Sequence, residues 1–358
     1  MGASRTRGLL VATRMSAAIP SESAQLAFLR NVQRLLEEGQ FTATYKFALL
    51  MALVDIAVER GRDDGEMLRV SLAAIAEKFV AAFWSHTRPY RGGVLFQNKG
   101  QNIALLGILA QAQAGLGTLA DMRSRSEWQP LLRRVARQIE KMPLFRLQTL
   151  RGERKLLFLY REEIKQEAIE LLPGVAFCLR RFSGFLRTLA RQGWLNEIRR
   201  NSKNAYLVGG GENLEEFLVP GDRVPLGIVR EVLWPMQAGR CFYCGERLSA
   251  ALHVDHFVPF ALHGASLGHN LVLAHAGCNA DKSDLLADLP HLERWVSRND
   301  REGAELAAAM ASRGIVSDLD ATVGIARWAY GRAREFEALL WMRRRETRPF
   351  PRGAALPI

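Results

Sequence analysis

Four residues most restrict what this chain can fold into. Cys241 and Cys244 form a C-x2-C pair, and after an interval of thirty residues His275 and Cys278 form an H-x2-C pair. Three thiolates and one imidazole on two knuckles satisfy the tetrahedral preference of Zn²⁺ with no position left for water, so a zinc held here is structural. His269 lies close enough in sequence to compete with His275 for the imidazole position. The intervening segment is too short to stabilise itself by apolar burial alone, and a metal staple at both ends supplies what burial does not. The fourth cysteine, Cys178, lies outside the cluster.

The surroundings favour metal over disulfides. The first residues, MGASRTRGLLVATRMSAAIP, carry the arginines of a targeting peptide, but Arg14 interrupts an already short apolar stretch. They read as a disordered tail over 1–22, and a chain without a secretory signal is expected in the cytoplasm with its cysteines reduced. No run of about eighteen apolar residues is present. The longest candidate, Phe47 to Val58, carries Asp55, so no membrane partner is expected. The formal net charge of +12 favours a polyanionic partner. Much of the excess is arginine, which genome composition alone can produce.

Most of the remaining chain has helical periodicity. A polar start at Ser21 to Ser23 precedes AQLAFLRNVQRLLEEG, which Gly39 closes. TATYKFALLMALVDIAVERG offers a threonine cap and a segment apolar enough to be the core helix of a domain over 23–220. LRVSLAAIAEKFVAAFWSHT reads as a packing helix, with a short strand running into a helix as the alternative. LFRLQTLRGERKLLFLY, 144–160, alternates around a turn at Arg151 to Glu153 and predicts a β-hairpin. Arg180, Arg187 and Arg191 fall on one helix face, a solvated surface or else a phosphate track. VGGGEN at 208–213 lacks the Lys and Ser/Thr of a phosphate loop and reads as a linker. Beyond a compositionally distinct module at 225–298, helix resumes over 299–358, with a Pro- and Arg-rich end expected to fray. The fold class is therefore α+β, a mostly α-helical frame around a small zinc-stapled module.

Inside the module, ALHVDHFV predicts a strand, PFALHGASLGH a long loop, NLVLA a second strand and CNADKSDLLAD the start of a helix. The C-x2-C, the VDHFVP strand end, the NLVLA strand and the CNADKSD helix start, in this order and spacing, resemble the HNH or ββα-metal nuclease family. That family includes the HNH domain of RNA-guided CRISPR effectors and many bacterial restriction and homing nucleases. The resemblance covers about 240–290. His275 departs from it, since the second knuckle usually opens on cysteine.

The resemblance implies roles residue by residue. His256 takes the place of the general base that activates water, a task suited to an imidazole. Asp255 takes that of a ligand to a catalytic divalent ion and Asn279 that of the other protein ligand, an oxygen set suited to Mg²⁺. Asn270 takes that of the residue that ties the loop down and orients the base. Lys282, one turn beyond Asn279, reads as a phosphate contact or a solvated lysine. The adjacency of Asp255 and His256 is accommodated if the backbone turns there and both face one phosphate. His253 reads as a structural histidine. The implied activity is metal-dependent hydrolysis of DNA phosphodiester bonds leaving a 5′-phosphate and a 3′-hydroxyl, with restriction or phage defence as a role known by family association alone. Two alternatives are an RNA-directed nuclease and a zinc-dependent nucleic-acid-binding protein with a silent nuclease centre. The sequence leaves protein partners open.

Overall fold

A computed structural model describes residues 18–39, 43–98, 104–115, 118–208, 214–218, 226–248 and 251–358. Most of the expected tail and the glycine run at 209–213 lie outside these residues.

The chain opens on α1 (Glu22–Glu38). The Ser21 hydroxyl caps it by accepting from the Ala24 N–H, and the Gly39 N–H closes it on the Leu35 carbonyl. Phe28, Val32 and Leu35, spaced by four and three, form its buried stripe. The next helix, α2 (Tyr45–Arg60), is buried on nearly every side and is the core helix that its composition predicts. Thr44 precedes it but makes no capping bond, because its hydroxyl donates to buried Gln97 instead.

Residues 68–83 follow the alternative reading. Strand β1 (Leu68–Ser71) runs into α3 (Leu72–Phe83), with Ser71 as the cap. It pairs antiparallel with β2 (Ala168–Leu171), Leu68 opposite Leu171. Residues 144–160 depart from the predicted hairpin. Pro143–Leu147 is helical, Arg151–Glu153 is a turn of 3₁₀ helix, and a single bridge joins Thr149 to Lys155. The alternation there is served by Gln148, a buried amide that accepts from the Phe158 and Leu159 N–H groups and donates to the Tyr160 carbonyl. Two backbone bonds flank the turn, from the Leu150 N–H to the Arg154 carbonyl and from the Leu156 N–H to the Gln148 carbonyl, and beyond them a side chain takes the place of a longer ladder. Helices α4 (Val175–Arg181) and α5 (Ser183–Arg200) then pack on α2, and Gly193 makes room for the Phe47 ring, which a Cβ would meet at 2.3 Å.

Helix α6 (Leu226–Met236) leads to the cysteine region. Strand β3 (Leu252–His256) pairs antiparallel with β4 (Leu271–His275), and α7 (Ala276–Lys282) follows at once. Val229, Val232 and Leu233 of α6 pack on Leu271 and Leu273 of β4 and on Leu306 and Met310 of α8 (Leu289–Ala311). A second core gathers Phe257, Trp295 and Tyr330 in a stack together with Trp341 and Phe350. The expected boundary at 298/299 thus falls inside α8. The C-terminal end also differs from its expected helical, frayed form. After α9 (Leu319–Glu335), β6 (Leu339–Arg343) pairs parallel with β5 (Leu286–Ala287) and antiparallel with β7 (Glu346–Pro349). Leu340 and Trp341 bury in the core that flanks the cysteine module, which offsets the cost of ordering this polar end.

Helix α9 joins the two parts of the chain. It crosses α2 at Gly324, where a Cβ would stand 1.9 Å from the Glu59 carbonyl oxygen, so only glycine permits this approach.

Candidate metal centre and nuclease site

The donor atoms of Cys241, Cys244, His275 and Cys278 all lie within 4.8 Å of one another. The knuckle at 241–245 turns through Gly245 at φ 77°, the left-handed region that glycine enters without cost, and the Gly245 N–H donates to the Cys241 carbonyl. His275 ends β4, with Nδ1 3.4 Å from Cys244 Sγ, while Nε2 lies 2.9 Å from the Arg247 carbonyl. A protonated Nε2 donating to that carbonyl leaves Nδ1 for a metal, the usual outer support of a ligating histidine. Burial raises the Cys241 thiol, but backbone N–H groups of Cys244, His275 and Tyr243 outweigh it and lower the value overall. The donor set fits a structural zinc of the Cys₃His type. His269 is not a rival, being buried elsewhere with Nε2 3.0 Å from the Gly303 carbonyl.

The β3–β4 ladder runs through His256 opposite Leu271, and the Phe257 N–H continues it onto the Asn270 carbonyl. Adjacent side chains therefore take opposite faces, and the expected turn that aims Asp255 and His256 the same way does not occur. Asp255 shares a face with His253, and α7 packs over it. Asn279 Nδ2 lies 3.1 Å from His253 Nδ1, and three residues on Lys282 Nζ lies 3.1 Å from Asp255 Oδ2. Lys282 is not a solvated lysine. It is fully buried, and Nζ also donates to the His256 carbonyl at 3.1 Å. His253 is exposed, with its ring beside Asn279.

Asp255 has a further partner that the sequence does not announce. The Tyr243 hydroxyl, from inside the zinc knuckle, donates to Asp255 Oδ2 at 2.5 Å. Burial first, and then the Asp255 charge, hold that hydroxyl well above its ordinary pKa and keep it a donor. Both contacts use Oδ2.

His256 sits on the other face with Nε2 2.9 Å from Ser266 Oγ and its ring 5.1 Å from that of Phe260. Burial, together with Lys282 and against Asp255, takes its pKa down to about 4, so the imidazole is neutral at pH 7. Asn270 is buried and closes a two-bond ring on Val258, Oδ1 accepting from its N–H at 2.8 Å and Nδ2 donating to its carbonyl at 2.9 Å. Arg298 and Trp295 of α8 hold the neighbouring His269 carbonyl, and Arg298 also donates to Leu271.

The three arginines read as one face do separate work. Arg180 is buried, bonded to the Ala57 and Val58 carbonyls and ion-paired with Asp63. Arg187 pairs with Asp55 at 2.7 Å and donates to the Leu262 carbonyl at 2.9 Å. Arg191 lies 3.6 Å from Glu215. The first two tie α2 to its surroundings, and neither forms a phosphate track. Through Leu262, Arg187 holds the segment 260–266 that carries both neighbours of His256. Beside it His263 is buried 3.5 Å from Glu59, which Lys78 also meets at 2.5 Å.

Comparison with known families places these parts. A family model described as a domain of unknown function (DUF8808) matches residues 25–209, just over half of the chain. The chain belongs to that family. A second model, described as HNH endonuclease, matches residues 241–285. These residues hold the knuckles, β3, β4 and α7, so the DUF8808 protein carries an HNH domain of the zinc-knuckle type, which supports a nuclease acting on nucleic acid. Neither the curated proteins nor the solved structures gave a match. Among the described residues no helix is long and apolar enough to cross a membrane.

Proposed function

We propose that this chain is a DNA endonuclease that uses Mg²⁺ or a similar hard divalent ion at Asp255 and Asn279 and His256 as the general base. One observation supports the reading: the HNH match covers the hairpin and helix that carry Asp255, His256 and Asn279, and Asn270 pins the chain just after His256. Strand β3 has β4 on one side, and its other edge is unpaired among the described residues. Its two faces meet along that edge, so a phosphodiester lying there has Asp255 on one side and His256 on the other.

The side chains divide the work. The neutral His256 imidazole accepts the proton of a water aligned with the phosphorus. Ser266 and Phe260 fix the ring, and the Asn270 ring holds the backbone directly after it. Tyr243 and Lys282 lock Asp255 Oδ2 so that Oδ1 is presented in one orientation. Asn279 Oδ1, reached by turning the amide beside His253, supplies the second protein oxygen. A divalent ion bound there supplies charge neutralisation at the phosphate and leaving oxygen. A role in restriction or phage defence rests on family association.

The test is cleavage of a substrate panel by the zinc-replete protein in Mg²⁺: supercoiled plasmid, linear duplex, single-stranded DNA and RNA. The reading predicts cut DNA with 5′-phosphate ends. Cleavage of RNA alone favours the RNA-directed nuclease. Binding of the panel without cleavage favours a silent centre.

A further inference from the structure

We propose that a cavity between α4, α5 and α9, remote in sequence from the HNH site, is a stacking site for unpaired bases of a nucleic-acid strand. It encloses about 550 Å³, room for a base and its sugar, and is lined mainly by aromatic rings and arginines.

Three observations converge. The two phenylalanines most exposed among the described residues, Phe185 at 57% and Phe336 at 64%, both line this one cavity. Exposed rings gathered at a concave site mark a binding surface more often than single apolar residues do. Second, the charge is uncompensated. Arg181 pairs with Glu335 and Arg180 with Asp63, but Arg332 and Arg334 have no carboxylate within ion-pair distance among the described residues. Third, the Arg332 guanidinium lies 5.5 Å from the Trp328 ring and 5.8 Å from the Phe336 ring, which sets a cation between aromatic faces. Ring faces beside guanidinium groups that no carboxylate pairs, Arg332 also donating to the Arg181 carbonyl at 3.3 Å, match a base joined to a phosphate, the chemistry by which single strands are held without sequence preference. A duplex keeps its bases stacked on one another and offers no free face to these rings.

The site joins the two parts of the chain. Phe182 and Phe185 flank the start of α5 in the DUF8808 region, while Trp328 lies on α9 and Phe336 caps its end, beyond the HNH domain. The Trp328 indole N–H donates to the Arg180 carbonyl and fixes the two sides together. This gives the helical region a share in holding the strand. The inference rests on the reading that the substrate is nucleic acid, but its test does not involve cleavage.

The test is fluorescence anisotropy of a labelled single-stranded oligodeoxynucleotide with the full chain, Mg²⁺ omitted and zinc retained. Phe185→Ala combined with Phe336→Ala is expected to weaken binding about tenfold or more, on the scale of stacking losses. An abasic strand of equal length should lose little to that variant but should weaken with Arg332→Ala and Arg334→Ala. Gly331→Leu serves as a second probe, because Gly331 lines the cavity and a Cβ there meets nothing within 4 Å, so a larger side chain is expected to occupy the space a base would take. Normal affinity in both the double variant and Gly331→Leu overturns the proposal, as does equal loss for the abasic strand. Either result leaves the nuclease reading standing, and a catalytically silent chain that shows the expected losses leaves this one standing.

Discussion

Lys282→Met isolates the least expected feature of the site. The ammonium group is fully buried 3.1 Å from Asp255 Oδ2, and the Asp255 side chain is itself only 10% exposed. Removing one partner of such a pair leaves a desolvated charge behind and costs about 3–5 kcal/mol, a large part of a typical stability of about 5–15 kcal/mol. Tyr243 still donates to the same oxygen, which places the expected loss near the lower end, at about 3 kcal/mol. Methionine has a similar length, so little of the loss comes from packing. Urea unfolding of zinc-saturated protein, followed by tryptophan emission to which Trp295 and Trp341 of this core contribute, measures the change. Combining Lys282→Met with Asp255→Asn removes the orphaned charge, and the double variant should recover part of what the single variant loses. A Lys282→Met loss within about 0.5 kcal/mol, the range of ordinary surface substitutions, would refute the buried pair and restore a solvated Lys282.

Further outcomes follow from the same geometry. Burial takes both His86 and His256 down to about 4, against about 6.5 in the unfolded chain. The native state then binds fewer protons between these values, so this stability is fully present above pH about 6.5 and is lost as pH falls to about 4, at about 1.4 kcal/mol per pH unit for each histidine. Denaturation across that range should show the slope, and His86→Gln should flatten it; an unchanged slope counts against a neutral buried His86. Metal analysis should find one zinc per chain, lost in Cys278→Ser together with cooperative unfolding of the HNH core, whereas Cys178→Ser should retain it. Arg187→Ala frees the Leu262 carbonyl and with it the segment holding His256, so turnover is expected to fall about tenfold or more while oligonucleotide affinity stays within twofold; the reverse pattern would make Arg187 a binding residue.

The legible parts of this protein are those governed by short-range rules. Alternation and knuckle spacing predict β3, β4 and the cysteine cluster, and serine and glycine caps bound α1. What escapes the sequence depends on partners distant along the chain. Lys282 reads as surface because a lysine at a short helix end is commonly solvated, and only the packing of α7 over β3 shows that Asp255 and Tyr243 enclose it. Tyr243 carries no signal beyond its place between two cysteines. The 144–160 segment alternates like a hairpin, yet the buried Gln148 amide supplies the bonds that a strand would. The strands at 339–349 hide in an Arg-rich run because their buried members, Leu340 and Trp341, are few. Arg180 and Arg187 share a predicted face but are drawn inward by Asp63 and Asp55, which periodicity does not see.

The most direct measurement of the central claim is relaxation of supercoiled plasmid in Mg²⁺ by wild type and His256→Ala, purified identically and matched for zinc content and unfolding midpoint. The account predicts Mg²⁺-dependent nicking by the wild type and a loss of about 10²–10⁴-fold in the variant, the span of a general base. Equal nicking by both proteins would contradict it.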